Sequence, residues 1–389
     1  MEGEVKIPKF TLQMELMKTF LRDNYRFRRN VITGGVEYLK VKSEKWAPLT
    51  KEVLNRMTFD AIEAGIEVWD KDIRRYVEST FVEDYDPVAD YMGMLPRWDG
   101  RERIEVLARR VPTENRDWPK NFHRWFLGMV RQWVVGRQLY GNTMVPLLIG
   151  RQGDGKSTFC RQLIPEELQN YYTDRIDFTK RTDAERVLTR FVLVNVDEFD
   201  SISKSQNAFL KHLLQKSDVM VRKLYETQIQ QMKRYASFIA TTNDPTPLVD
   251  TTGSRRFMCI QTSGTINTKA VVNHQQLYAQ AMAEIEEGAR TWFDRGDERR
   301  IQLTNAAFQQ FDSIEEVFSY LFHRPGADDI AHRLSPYQIL EKMHDRYASI
   351  QVNLSSAQRL GKLLMRRKFK MVRTAQSRMY YVSFNDVSK

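Results

Sequence analysis

The octet Gly150-Arg151-Gln152-Gly153-Asp154-Gly155-Lys156-Ser157 constrains this chain more than any other stretch. It fits the pattern G-x-x-x-x-G-K-[ST]. An apolar run from Met144 to Ile149 leads into it, and helical patterning follows from Ser157 to Leu163. A strand feeding a glycine-rich turn that opens a helix curls backbone N–H groups around one spot, with no Cβ in the way. Such a nest suits phosphate, which makes Gly150, Gly153, Asp154, Gly155, Lys156, Ser157 and Thr158 the candidate nucleotide-binding residues. Lys156 brings a point charge to the β- and γ-phosphates of ATP, and the Ser157 hydroxyl offers a ligand to Mg²⁺. The alternative, a chance glycine-rich turn, has no use for the strand before it and the helix after it.

Downstream motifs add hydrolysis to binding. The apolar strand Phe191–Val196 ends in Asp197-Glu198, about forty residues after the P-loop, and is expected to pair beside the P-loop strand. There Asp197 is the candidate Mg²⁺ ligand and Glu198 the group that orients and deprotonates the attacking water. A third strand, Ala236–Thr241, ends in Thr242-Asn243-Asp244, and Asn243 is placed to sense the γ-phosphate. Simple strand-end capping is its alternative reading. Ten residues on, Gly253-Ser254-Arg255-Arg256-Phe257 puts two arginines in a loop. Arg255 and Arg256 are candidates to stabilise transition-state charge in a neighbouring subunit's site, against a plain basic surface pair.

Between these strands, Val219–Tyr225 and Met232–Tyr235 read as the arms of a β-hairpin with a glutamine-rich tip. Arg222, Lys223, Lys233 and Arg234 are candidate phosphate contacts there, with Tyr225 or Tyr235 stacking on a base. An ordinary exposed hairpin is the alternative.

The net charge of +10 and a pI near 9.4 favour an anionic partner, most simply nucleic acid. A merely soluble basic surface remains open at this stage. Two cysteines, Cys160 and Cys259, argue against a disulfide scaffold or a structural zinc site and fit a reducing cytoplasm. No apolar run reaches the roughly 18 to 20 residues of a membrane span, and the opening segment with Glu2 and Glu4 lacks a signal-peptide pattern.

Helical periodicity over Phe10–Phe20, Lys51–Ile66, Ile73–Phe81 and Arg103–Arg110, with one hairpin turning at Thr33-Gly34-Gly35, predicts a mainly helical domain over residues 1–115, and a helix at Phe122–Tyr140 carries the chain on to the P-loop strand. The cluster Glu83-Asp84-Tyr85-Asp86 is expected to be a solvated loop and helix cap rather than a metal site. Residues 116–265 form the expected P-loop NTPase core, α/β with a parallel sheet. In 266–389, helices at Tyr337–Tyr347 and Leu354–Lys368 precede a hairpin, Val372–Thr374 with Met379–Phe384, the order of a winged helix. Residues 359 to 378 hold eight Lys or Arg and no acid, so Arg366, Arg367 and Lys368 are candidate DNA contacts. Packing of a basic solvated helix is the competing reading.

Together these residues resemble the virulence-associated protein E family of phages and genomic islands, a branch of the superfamily 3 helicases. The likeness rests on the P-loop, N-x-D-E-F at Asn195 to Phe199, T-T-N at Thr241 to Asn243 and G-S-R-R-F at Gly253 to Phe257. Upstream, D-P-x-x-D-Y-M at Asp86 to Met92 and W-D-G at Trp98 to Gly100 extend it. It implies an AAA+-like core in a homo-oligomeric ring, usually hexameric, hydrolysing ATP with Mg²⁺ and moving on DNA during replication of a mobile element in a bacterial host. Lys156 and Ser157 are then Walker A, Asp197 and Glu198 Walker B, Asn243 sensor 1, and Arg255 or Arg256 the arginine finger. Many members carry Glu where Asn195 stands. No primase active site is apparent, so a separate primase or loader enters as a possible partner. Two other readings stay open: an ATP-regulated DNA-binding initiator that does not unwind, and a P-loop kinase acting on a small molecule.

Overall fold

The computed structural model describes residues 8–135, 141–222, 229–248, 254–309, 314–374 and 377–385. Helix α1 (Lys9–Asn24) leads into a hairpin of β1 (Tyr25–Asn30) and β2 (Val36–Lys40), whose turn is closed by Gly34 at φ 73°. Strand β3 (Ala47–Pro48) extends the hairpin, then α2 (Lys51–Glu63) and α3 (Asp70–Val77) pack with α1 through Met17, Leu21, Leu54, Met57 and Ile73. The acidic stretch is a strand, β4 (Glu83–Tyr85), parallel to β1. It is held there by the Arg29–Asp84 ion pair at 3.7 Å and by the Arg28 guanidinium 3.5 Å from the Tyr85 ring centroid. This region is mainly helical, as expected, and its hairpin is extended by β3 and β4 into a four-stranded sheet of order β3-β2-β1-β4. The expected cap is present: the Asp86 carboxylate accepts N–H bonds from Val88 and Ala89 at the start of α4 (Pro87–Gly93).

Helices α5 (Ile104–Ala108) and α6 (Trp118–Val134) lead to β5 (Val145–Ile149), the P-loop and α7 (Lys156–Gln162). Then follow β6 (Tyr172–Thr173), α8 (Arg181–Arg190), β7 (Leu193–Val196) and α9 (Lys204–Gln215). A hairpin of β8 (Asp218–Arg222) and β9 (Ile229–Lys233) precedes β10 (Ser237–Thr242), and β11 (Phe257–Gln261) completes the central region. The sheet order is β11-β5-β10-β7-β6, all parallel. The strands alternate with a period of two, so each supplies both faces. Leu148, Leu193, Ile239, Met258 and Ile260 join α6 and α7 on one side, whereas Leu147, Val194, Phe238 and Cys259 meet α8 and α9 on the other. Burial on both faces is why these strands read as continuous apolar runs.

The P-loop strand and the Asp197 strand are not neighbours, contrary to the sequence expectation: β10 is inserted between them. The chain leaves β7, forms α9 and the β8–β9 hairpin, and returns into the gap, so order along the chain differs from order in the sheet.

Helix α10 (His274–Glu286) packs on α6, and α11 (Arg295–Asn305) covers the outer edge of β11, where Asn305 accepts from Cys259 N–H and donates to Phe257 C=O. Filling those bonds shields an otherwise open strand edge. One apolar cluster includes Val88, Ile104, Trp118, Leu148, Tyr278 and Ile301, so the expected limits at 115 and 265 do not coincide with breaks in packing. The C-terminal region has α12 (Ile314–Leu321), β12 (Phe322–His323), β13 (His332–Leu334), α13 (Pro336–Arg346), α14 (Leu354–Arg366), β14 (Met371–Arg373) and β15 (Arg378–Phe384) around its own core. The predicted helix–helix–hairpin order is present, joined by α12 and two further strands that pair with β15. Among the described residues no helix is long and apolar enough to cross a membrane.

Candidate functional site

Three adjacent strands, β5, β10 and β7, end side by side, and their ends carry the polar residues. Gly153 and Gly155 hold φ of 88° and 85°, a region L side chains avoid. Gly150 is needed for space, since a Cβ there would fall 2.1 Å from Thr262 Oγ1 and 2.9 Å from Asp154 Oδ2. The Asp154 carboxylate accepts from Arg151 N–H at 2.7 Å and from Thr262 Oγ1 at 3.2 Å. Its side chain thus braces the loop, which leaves the backbone as the part of Asp154 available to phosphate.

Lys156 is buried, and an ammonium has three protons to give. All three are given: to Gly150 C=O at 2.9 Å, Arg151 C=O at 2.8 Å and Asn243 Oδ1 at 2.9 Å. Burial lowers its pKa, opposed by the charges of Asp154 and Asp197. Ser157 Oγ donates to Asp197 Oδ2 at 3.2 Å. Two adjacent ligands of an octahedral Mg²⁺ with bonds of about 2.1 Å lie about 3 Å apart. The Ser157–Asp197 pair therefore fits such an ion. Thr158 is exposed in the first turn of α7.

Further hydroxyls lock the acidic side. Thr241 Oγ1 and the backbone N–H of Glu198 both donate to Asp197 Oδ1, and Thr242 Oγ1 donates to Asp200. Glu198 has φ 51° and ψ 50°, left-handed backbone that a residue with a side chain adopts at a cost. This turns the chain sharply at the end of β7 and leaves Glu198 exposed beside Asp197. Thr241, Thr242, Thr262 and Asp200 were not legible as site residues. Their only signal was two threonines closing an apolar strand next to Asn243.

The fold brings Lys156, Ser157, Asp197 and Asn243 to adjacent strand ends as two hydrogen-bonded pairs, Lys156–Asn243 and Ser157–Asp197, with Glu198 next to Asp197. It does not bring in Arg255 or Arg256. They form a short 3₁₀ turn ahead of β11, whose first residue pairs with Val145, five residues before Gly150. At about 3.3 Å per residue, that is about 16 Å from the P-loop. Arg255 lies 3.8 Å from Glu298 of α11.

The hairpin expectation needs correction at three residues. Arg234 is only 2% exposed and donates to the carbonyls of Leu213, Leu214 and Ala236 at 3.2, 2.9 and 2.9 Å. It also reaches the Lys216 carbonyl, so its guanidinium satisfies the orphan carbonyls at the end of α9. Burial draws its pKa down to about 9. Lys233 donates to the Trp133 carbonyl and sits over the Tyr235 ring. Tyr235 is buried and donates to Asp86 at 2.7 Å. Arg234 and Tyr235 are buried and Lys233 is partly so, each with its polar group engaged within the chain. Lys223 and Tyr225 lie outside the described residues, as does the side chain of Arg222.

In the C-terminal region, Glu315 of α12 binds Arg366 at 2.9 Å and Arg367 at 2.8 Å, and these guanidiniums hold its carboxyl below the usual range. The acid-free stretch thus meets its counter-charge from another helix. Lys368 has φ 57° just beyond α14.

Residues 92–310 match the model of the virulence-associated protein E-like domain, more than half of the chain. Solved structures of the NrS-1 C-terminal region in apo form are similar at 12% identity, covering 96% of this chain, with TM-scores of 0.45 and 0.46 and 100% and 99% of those chains covered. No curated protein matches.

Proposed function

Because the chain belongs to the virulence-associated protein E-like domain family, we propose that it is an ATP-dependent DNA helicase or translocase acting in replication of a phage or mobile element. The observation that carries this reading is the meeting of Lys156, Ser157, Asp197 and Asn243 at the ends of three adjacent parallel strands. Lys156 would exchange its carbonyl partners for β- and γ-phosphate oxygens while remaining bonded to Asn243. Ser157 and Asp197 would hold Mg²⁺, which screens the phosphate charge. Glu198 would take the proton of the attacking water, and Asn243 would link γ-phosphate occupancy to β10.

The distance of Arg255 and Arg256 from their own P-loop supports action on a neighbouring protomer, and so a ring, in which each site is completed by the next subunit. The AAA+-like assignment of the core and the winged-helix assignment of the C-terminal region belong to the same proposal. So do residence in the bacterial cytoplasm and a separate primase or loader.

A second reading is an ATP-regulated DNA-binding initiator without unwinding. The inward-turned Lys233, Arg234 and Tyr235 favour it, because they remove three expected contacts from a DNA channel. ATP-dependent strand displacement on a forked DNA separates the two, comparing wild type with Glu198→Gln. Gln keeps the size of Glu but cannot accept the proton, so hydrolysis should drop by about 10² to 10⁴ with nucleotide binding intact. Unwinding by the wild type alone establishes the motor. DNA-stimulated hydrolysis without unwinding points to the initiator, or to a motor missing its partner.

A further inference from the structure

The first turns of α6 and helix α11 face each other beside β11 and enclose a cavity of about 250 Å³. Asp297 lines it, 3% exposed, and three guanidiniums converge on its carboxylate: Arg124 and Arg290 at 2.8 Å and Arg300 at 2.5 Å. The backbone N–H of Asp294 donates as well, at 3.1 Å. Arg300 and the Asp294 N–H reach this carboxylate through hydrogen bonds, while Arg124 and Arg290 pair with it by charge. Each guanidinium carries five N–H groups, and Asp297 occupies only part of that capacity. The ring of Phe293 covers Arg124, with its centroid 5.2 Å away. At the mouth stands Lys120, which makes no ion pair or side-chain hydrogen bond among the described residues. Lys120, Arg124 and Arg300 line the cavity with Asp117 and Asp297, and Arg290 and Asp294 pair with each other beside it.

We infer that this cavity binds a phosphate-type oxyanion, with Lys120, Arg124 and Arg300 as its cationic wall. Guanidinium forks match tetrahedral oxyanions through paired N–H bonds, and a half-enclosed site strengthens them. The Asn121 amide lines the same space and supplies a neutral donor. The site is separate from the P-loop: its floor, Met258 and Cys259, pairs with Pro146 and Leu147, roughly 10 Å along the strand from Gly150. The anion has two sources of the same chemistry, free inorganic phosphate and the terminal phosphate of a nucleotide. Glu298, next to Asp297, is the residue that holds Arg255, so occupancy would act on the segment carrying the candidate finger. The inference stands on the cavity alone and does not require helicase activity.

Titration calorimetry of inorganic phosphate into the full chain carrying Lys156→Ala, at ionic strength fixed with chloride, tests it. The background substitution removes the P-loop ammonium. One saturable site is expected, weakened at least about tenfold by Lys120→Gln with Arg300→Gln, since each charge-assisted bond is worth a factor of that order. Asn121→Asp, which leaves the partners of Asp297 untouched, should abolish binding by adding a negative charge. Absence of a saturable site, or unchanged affinity in either variant, overturns the assignment. Competition by ADP for the phosphate site supports the nucleotide as source, and failure to compete supports free phosphate.

Discussion

Lys156 and Asn243, 87 residues apart in the chain, meet through a 2.9 Å hydrogen bond from Nζ to Oδ1. The bond joins the P-loop to the end of the middle strand, so a change in the position of the ammonium is felt by β10. The same strand end positions Asp197 through Thr241 and Asp200 through Thr242. The candidate phosphate and metal residues thus share one strand terminus.

Removing the Asn243 amide should separate binding from turnover. Asn243→Ala removes one acceptor from Lys156 in the free and the nucleotide-bound states alike, so nucleotide affinity should change by less than about threefold. ATP turnover should fall by about 10²-fold, the scale of losing one preorganised polar group at a reacting centre. Equilibrium binding of a fluorescent nucleotide alongside steady-state hydrolysis measures both. Equal losses in the two would assign Asn243 to ground-state binding.

Arg255→Ala and Arg256→Ala should each impair hydrolysis without blocking nucleotide binding, and the true finger should cost about 10³-fold. Mixing that variant with Lys156→Ala subunits should recover part of the activity. In such mixtures some interfaces pair an intact P-loop with an intact finger. Activity that never rises above the sum of the two separate variants would place the arginine's action within its own subunit.

Arg234→Met should lower stability by about 3 kcal/mol, because several carbonyls at the end of α9 and beside it lose a buried donor. Urea denaturation reads this directly. DNA affinity per folded molecule should be unchanged. A large loss of DNA binding at full stability would return Arg234 to the hairpin's nucleic-acid face.

Glu315→Gln should raise DNA affinity and steepen its salt dependence by freeing Arg366 and Arg367. The triple replacement of Arg366, Arg367 and Lys368 should do the reverse. Filter-binding across a salt series checks both. Indifference to all of these substitutions would make the pairing with Glu315 purely architectural.

His123 links α6 to α10 through a 2.6 Å contact with Glu284. Burial opposes its protonation, but the hydrogen bond to Glu284 and the charges of Glu284, Glu102 and Glu105 outweigh it, so its pKa is raised above 6.5. The folded state therefore binds this proton more tightly than the unfolded chain does. Its stabilising contribution is full below pH 6.5 and is lost as pH rises through the folded value. The Glu284 carboxyl is lowered, burial being overcome by bonds from His123 and Gln280, so its contribution is lost as pH falls through that lowered value. Thermal unfolding of wild type should weaken from pH 6 to pH 9 by more than that of His123→Gln. Identical pH profiles would contradict the linkage.

The conformation of the P-loop was legible because its parts are local. The glycine positions, Lys156 and Ser157 lie within one turn, and positive φ at Gly153 and Gly155 is a property of single residues. The ends of β7 and β10 were legible for the same reason, since an apolar strand stopping at a polar group shows in a short window. The basic residues were harder. Arg234 looks like a phosphate contact in a run of Met232-Lys233-Arg234-Tyr235, yet its environment is made by α9 and the segment before β5, distant in the chain. Glu315 lies outside the 359 to 378 window that made Arg366 and Arg367 look unpaired.

By itself the sequence determined which segments become strands and helices around the P-loop, and which residue stands at the end of each. Short-range periodicity and backbone preferences settle both. Tertiary structure alone decided that β10 enters between β5 and β7, joining Asn243 to Lys156 and Thr241 to Asp197. It also decided that Arg234 serves the end of α9 and that Glu315 meets the basic helix. Burial and charge compensation depend on which elements become neighbours, and that adjacency is a property of the whole packed chain.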